Sequence, residues 1–212
     1  MTPYRLNCLL ISITIWMLML IMPPYVAHAD NTIDWHLSGY GIMSLAGTMG
    51  YDDPGVGIMG EGSARWKFLE LYAMGDIAYQ HKQGASSGHT WGYLLQGRGY
   101  VWDGLYLLAQ WSRSGYESEF ESGTVWRKAG SHWAGGVGYN YKGMADVWWT
   151  ISNRETDTPN HVWNTSLNMR YQIWKYLWGM IRVGYSTWDQ VYGTEVHRLS
   201  GVTSDIGIGV RW

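Results

Sequence analysis

Residues 201–212 read GVTSDIGIGVRW. Val202, Ser204, Ile206, Ile208 and Val210 alternate with small or charged residues, and the stretch stops on Trp212. Period two is the mark of a β-strand whose two faces meet different surroundings. A terminal segment frays unless it is tied down. A last strand with an aromatic end therefore implies a sheet that receives it, and the remainder of the sequence shows which kind.

The other end of the chain is of a different character. Arg5 precedes an uncharged apolar run, Cys8 to Met22, which Pro23 and Pro24 break. Ala27-His28-Ala29 then places small residues where a signal peptidase reads them. Residues 1–29 are predicted to be a cleaved secretory signal, and residues 30–212 a single exported domain. The apolar run is short for a membrane-anchoring helix. The single Cys, Cys8, falls within the predicted signal, so the exported domain is expected to be stable without disulfides. Removing residues 1–29 takes away one of 15 basic residues, Arg5, and none of 17 acidic ones, which leaves 14 against 17 and a net charge of −3. That balance argues against nucleic acid as a partner.

Alternation recurs along the exported part. Trp35, Leu37, Met43 and Leu45 oppose His36, Ser38, Tyr40 and Ser44. Val56, Ile58, Ala64 and Trp66 oppose Glu61, Ser63, Arg65 and Lys67. Leu71, Ala73, Ile77 and Tyr79 oppose Tyr72, Met74 and Asp76. Trp91, Tyr93 and Leu95 oppose Leu94, Gln96 and Arg98, and Leu105, Leu107, Ala109 and Trp111 oppose Gln110, Ser112 and Ser114. In the second half, Trp133, Val137 and Tyr139 oppose His132, Ala134 and Asn140. Val147, Trp149 and Ile151 oppose Asp146, Trp148, Thr150 and Arg154. Trp163, Leu167, Met169 and Tyr171 oppose Asn164, Asn168 and Arg170, and Leu177, Ile181, Val183 and Tyr185 oppose Trp178, Met180 and Arg182. With the opening stretch, which places Asp205 and Arg211 on its second face, this makes ten strands.

The connections alternate between short and long. The short ones are read as Leu69-Glu70, Asp103-Gly104, Lys142-Gly143-Met144 and Trp174-Lys175-Tyr176. The long ones are GTMGYDDPG, HKQGASSGH, YESEFESGTVWRKAGS (116–131), TDTPNH and DQVYGTEVHRLS (189–200). A sheet that spans lipid must close on itself, because every backbone N–H and C=O has to be paired within the protein. Short turns on one side, long loops on the other and one charge-poor face describe a transmembrane up-and-down barrel. The apolar face carries aromatics towards both ends: Trp91, Trp111, Trp133, Trp163 and Tyr185 at one, Trp35, Phe68, Tyr139, Tyr171 and Trp212 at the other. Two such belts suit two membrane interfaces. A soluble sandwich or lipocalin-like barrel would instead have to bury the charged face.

Residues 201–212 resemble the C-terminal strand of Gram-negative outer-membrane β-barrel proteins, in which the last residue is aromatic, usually Phe, and alternate preceding positions are apolar. Ile206, Ile208, Val210 and Trp212 match, with Trp in place of Phe. The resemblance implies an all-β, ten-stranded antiparallel barrel in the bacterial outer membrane, with its termini on the periplasmic side. It implies that this strand is read by the barrel-assembly machinery and pairs with the first strand. Lipid and lipopolysaccharide are the surrounding partners it implies, and a monomer is expected.

The charged face points to the lumen. It holds Glu61, Asp76, Asp146 and Asp205 with Arg65, Lys67, Arg98, Arg154, Arg170, Arg182 and Arg211. Two arrangements follow. In a narrow barrel these groups pair and fill the interior, with Tyr40, Tyr72, Tyr100, Tyr106, Trp148 and Trp178 adding bulk. Alternatively, the excess of Arg lines a narrow pore that favours anions. The expected role is accordingly structural or surface-interacting, or passage of small solutes.

An enzyme acting at the external rim is the alternative. Ser112 and His132 fall on adjacent predicted strands near that rim and face inward, which permits the Ser–His contact that nucleophilic catalysis requires. That placement would suit a lipid A hydrolase or acyltransferase. Likeness to the ten-stranded omptin proteases is confined to strand number and a rim of His and acidic residues. His81, His89, His132, His161 and His197 show no metal-ligand spacing, so no metal and no cofactor is expected. Gly84–Gly88 fits a nucleophile-elbow pattern and Gly55–Gly60 a dinucleotide fingerprint, but neither opens a helix.

Overall fold

The computed structural model describes residues 33–45, 55–79, 85–120, 122–155, 162–192 and 195–212. The predicted signal at 1–29 lies outside them, as do His81 and His161. The described residues form ten strands: β1 (Asp34–Leu45), β2 (Gly55–Trp66), β3 (Leu69–Tyr79), β4 (Ala85–Trp102), β5 (Leu105–Phe120), β6 (Val125–Tyr141), β7 (Ala145–Glu155), β8 (Val162–Trp174), β9 (Leu177–Tyr192) and β10 (Glu195–Arg211). Each pairs antiparallel with its sequence neighbours, and β10 returns to β1, so the sheet is a closed barrel.

Closure runs through the stretch that opened the sequence. Gly39 lies opposite Val210, Gly41 opposite Ile208 and Met43 opposite Ile206. Trp212 donates its N–H to the Leu37 carbonyl at 2.8 Å and accepts the Leu37 N–H at 3.2 Å. No sheet edge is left along this seam, as lipid requires.

The predicted parity holds in every strand. Ile206, Ile208, Val210 and Trp212 point outward, while Asp205 is buried inside. Leu37, Ile58, Leu71, Leu95, Leu167 and Ile181 are likewise exposed on the outer wall. Rings from the short-turn end ring the outside: Trp102 is 71% exposed, Trp174 78% and Trp212 68%. Trp133, Trp163 and Tyr185 stand outward towards the other end. An outer wall this apolar has a favourable environment only in hydrocarbon, flanked by aromatics at the two interfaces. Arg113 is exposed on this wall, in the outer half of β5 beyond Trp111.

Three sequence expectations need correction. The first short turn is Lys67-Phe68, two residues earlier than read. Lys67 takes a left-handed backbone, φ 55°, which reverses the chain tightly enough for Trp66 to pair with Leu69. Glu70 therefore belongs to β3 and faces the lumen. Lys67 belongs to the turn rather than to β2, with Nζ 4.9 Å from the Trp66 ring, and lines the mouth of the lumen from there. The third correction concerns two long loops that are mostly strand. β5 and β6 pair out to Glu119 opposite Val125, with a turn in which Gly123 (φ 76°) donates its N–H to Phe120 at 2.8 Å. β9 and β10 pair out to Tyr192 opposite Glu195. Above the membrane both faces of a hairpin meet water, so the apolar–polar alternation that betrays a strand is absent there.

Candidate functional site

The interior is organised around two guanidinium groups at mid-height. Arg98 on β4 reaches Asp146 on β7 at 2.9 Å and Glu70 on β3 at 3.4 Å. Arg170 on β8 reaches Glu61 on β2 at 2.5 Å. All five side chains are buried. Charges removed from water persist only when paired and hydrogen-bonded, and tyrosines complete the pairing. Tyr106 donates to Asp146 at 2.7 Å, Tyr100 to Glu70 at 2.5 Å, and Tyr72 and Tyr40 to Glu61 at 2.7 and 3.1 Å.

Aromatic faces fill the remaining cross-section. The Arg98 guanidinium lies 4.3 Å from the Tyr72 ring centroid and 4.9 Å from that of Tyr106. Arg170 lies 4.4 Å from the Trp148 ring. Tyr72 and Trp148 meet edge to face, with centroids 6.2 Å apart. Cation–π contacts of this kind gain strength when water is excluded. Residues of β2, β3, β4, β5, β7 and β8 thus meet in one layer across the lumen.

A cavity lies on either side of this layer. The one towards the long hairpins has a volume of about 310 Å³ and is lined by Asp76, Ser112, His132, Asn168, Arg182 and Asp205 among others. There Arg182 bridges Asp205 at 2.5 Å and Asp76 at 3.5 Å. The cavity at the short-turn end is larger, about 770 Å³, and its walls include Arg65, Lys67, Lys142 and Arg211. Tyr72, Arg98, Asp146 and Arg170 form its roof.

The sequence-predicted lumen residues separate accordingly. Glu61, Arg98, Asp146 and Arg170 form the mid-height layer, Asp76, Arg182 and Asp205 the outer cluster, and Arg65 and Arg211 stand in the short-turn cavity. Arg154 is the register partner of His132. Glu70, Gln96 and Gln110 were not anticipated as members of the network. Parity alone marked the two glutamines as inward. Glu70 was hidden by the misplaced turn.

Ser112 and His132 are directly opposite in the β5–β6 ladder, and Ser112 Oγ lies 2.7 Å from His132 Nε2. The predicted contact is therefore present. It is also the outer end of a hydrogen-bond chain that starts in the charged layer. Arg98 Nε donates to Gln96 Oε1, Gln96 donates to Gln110 at 3.2 Å, and Gln110 donates to Ser112 Oγ at 3.4 Å. Ser112 Oγ thus accepts from Gln110 and shares a hydrogen bond with His132 Nε2, in which the imidazole tautomer sets the donor. Among the described residues, no cluster of three or more His, Cys, Asp or Glu is placed to hold a metal ion. No helix among them is long and apolar enough to cross a membrane, which says nothing of a barrel.

Above the membrane, Arg127 and Glu117 pair across the β5–β6 hairpin at 2.7 Å. The Arg127 guanidinium holds the Glu117 carboxyl below the usual carboxylate range.

No protein-family model matches the chain, and no curated protein matches it. Similar solved structures include the KdgM porin in complex with disordered oligogalacturonate, at 10% identity and a TM-score of 0.42, covering 82% of this chain and 98% of that one. Neisserial surface protein A is similar at 9% identity and a TM-score of 0.42, covering 85% and 97%. The NanC porin is similar at 14% identity and a TM-score of 0.40, covering 82% and 98%.

Proposed function

We propose that the protein is an integral barrel of the bacterial outer membrane, monomeric and surrounded by lipid and lipopolysaccharide, which is closed to flow at mid-height and works as a structural or surface-interacting element. The observation that carries this reading is the layer formed by Arg98, Arg170 and their carboxylates, packed against Tyr72 and Trp148 between two separate cavities. Ten strands enclose a modest lumen, and here its middle is occupied by side chains that pair with one another. The outward positions Ile206, Ile208, Val210 and Trp212 are available to the assembly machinery before the seam with β1 forms.

Single-channel recording tests the reading. The refolded full chain, inserted in a planar bilayer under a salt gradient, is expected to be silent, with insertion verified by protease protection. Discrete conductance steps with anion preference would overturn it in favour of a narrow pore lined by Arg98 and Arg182.

A further inference from the structure

The cavity at the short-turn end has an imbalance of hydrogen-bonding groups. Its roof carries three carboxylates, Glu61, Glu70 and Asp146. Each of their oxygens already accepts from a Tyr or Arg: Glu61 from Tyr40, Tyr72 and Arg170, Glu70 from Tyr100 and Arg98, Asp146 from Tyr106 and Arg98. Every carboxylate oxygen of the roof is thus engaged by a donor of the protein itself.

The donors are not all engaged. Arg98 Nη2 and Arg170 Nε are buried without a hydrogen-bond partner, and both residues line this roof. Arg65 donates one bond, from Nε to the Lys67 carbonyl at 3.2 Å, and its guanidinium carbon lies over the Tyr100 ring, 3.7 Å from the centroid. Arg211 is held in the same manner 4.4 Å from the Trp178 ring. A guanidinium has five N–H donors and no acceptor. Among the described residues, neither Arg65 nor Arg211 has a carboxylate within ion-pair distance, although Asp34 is the register partner of Arg65. At the mouth, Lys67 and Lys142 match Asp34 and Asp103 in number. With the roof included, where Arg98 and Arg170 meet three carboxylates, the lining carries six basic and five acidic side chains, a surplus of one positive charge, and Arg65 and Arg211, each beside an aromatic ring, face a cavity of about 770 Å³. That volume falls within the usual range of small-molecule sites, about 300–1,000 Å³.

We infer that this cavity is a binding site for a small soluble oxyanion, a carboxylate- or phosphate-bearing molecule, held by Arg65 and Arg211 beneath the mid-height layer. Paired oxygens of a carboxylate or a phosphate match the guanidinium fork, and charge-assisted bonds of this type are the strong ones. The ring faces under both guanidinium planes pre-set the donors, which lowers the ordering cost of binding. The barrel wall separates the site from lipid, so the ligand arrives from the aqueous side at the short turns. The site depends on the barrel and on the paired layer, not on a surface role.

The test uses the full chain refolded in detergent, titrated calorimetrically with inorganic phosphate and with citrate at constant ionic strength, against a chloride baseline. Saturable one-site binding of at least one of the two anions is expected. Arg65→Gln and Arg211→Gln should each weaken it about tenfold or more, as loss of a charge-assisted bond predicts, while Arg113→Gln on the outer wall leaves it unchanged. Heat-modifiable migration on gels confirms that each variant is folded. If Arg211→Gln does not refold, Arg65→Gln, on β2 and outside the β1–β10 seam, decides alone. Absence of saturable binding, equal binding of chloride, or wild-type affinity in the variants overturns the inference. A silent barrel that ignores both anions would refute this site alone; a conducting barrel that binds them would refute only the closed lumen.

Discussion

The Arg170 guanidinium and the Glu61 carboxylate meet at 2.5 Å although β8 and β2 are nowhere adjacent in the barrel. On one side β9, β10 and β1 separate them, and on the other β3 to β7. The pair crosses the lumen, so loss of either charge alone leaves the other buried without its partner.

Glu61→Leu leaves Arg170 as a buried, unpaired cation. Loss of one partner of a buried pair costs about 3–5 kcal/mol. The double variant Glu61→Leu/Arg170→Leu removes both charges and is expected to be markedly more stable than either single variant. Urea unfolding in lipid vesicles measures all three. Additive losses would show that the pair does not act as a unit.

Trp148 forms part of the boundary between the two cavities, with Arg170 stacked on one side of it. Trp148→Ala should join the cavities and convert a silent barrel into one with small conductance steps in a planar bilayer. A variant that stays silent would place the barrier in Arg98, Tyr72 and Tyr106 alone.

Gly138 on β6 faces the Tyr106 ring, and a Cβ there would overlap the phenol. Gly138→Ala is expected to push Tyr106 away from Asp146 and to destabilise by about 1–3 kcal/mol through overpacking. The loss should largely disappear in the Tyr106→Ala background, which a double-mutant cycle of unfolding free energies would read.

Ser112→Ala and His132→Ala are expected to leave lipid A composition unchanged, because Ser112 ends a chain of bonds running from Arg98 through Gln96 and Gln110. Mass spectrometry of extracted lipid A checks this. A modification lost in both variants would favour an enzyme.

Trp212→Ala removes the outward ring beside the last pair of backbone bonds to Leu37. The expected outcome is several-fold less folded barrel in the outer membrane of cells, with unchanged refolding yield in detergent. Equal loss in both settings would make Trp212 a packing residue rather than an assembly signal.

Strand parity was legible in the sequence because lipid and lumen are such different environments that each strand must sort its residues between them. The inward placement of Glu61, Arg98, Asp146, Arg170 and Asp205 followed from that sorting. Their pairing did not. Period two states which way a side chain points, but not its height in a tilted, staggered sheet, so nothing in the sequence joined Arg98 to Asp146 rather than to Asp76. Glu70 was missed because Lys67 adopts a left-handed conformation more usual for Gly or Asn, which moved the turn by two residues. The upper parts of β5, β6, β9 and β10 were missed because water on both faces erases the pattern.

Those upper strands give the described strands uneven lengths. β7 has 11 residues and β10 has 17. At about 3.4 Å per residue and a tilt of about 40°, these lengths rise about 29 Å and about 44 Å along the barrel axis. The first is close to the apolar band of an outer membrane, about 25 Å. The second clears it by roughly 15–20 Å on the same assumptions. Among the described residues, β4–β6 and β9–β10 therefore extend farther above the bilayer than β7–β8 and β1–β3. Among the described residues, an approaching macromolecule would touch the ends of these longer strands before it reached the mouth.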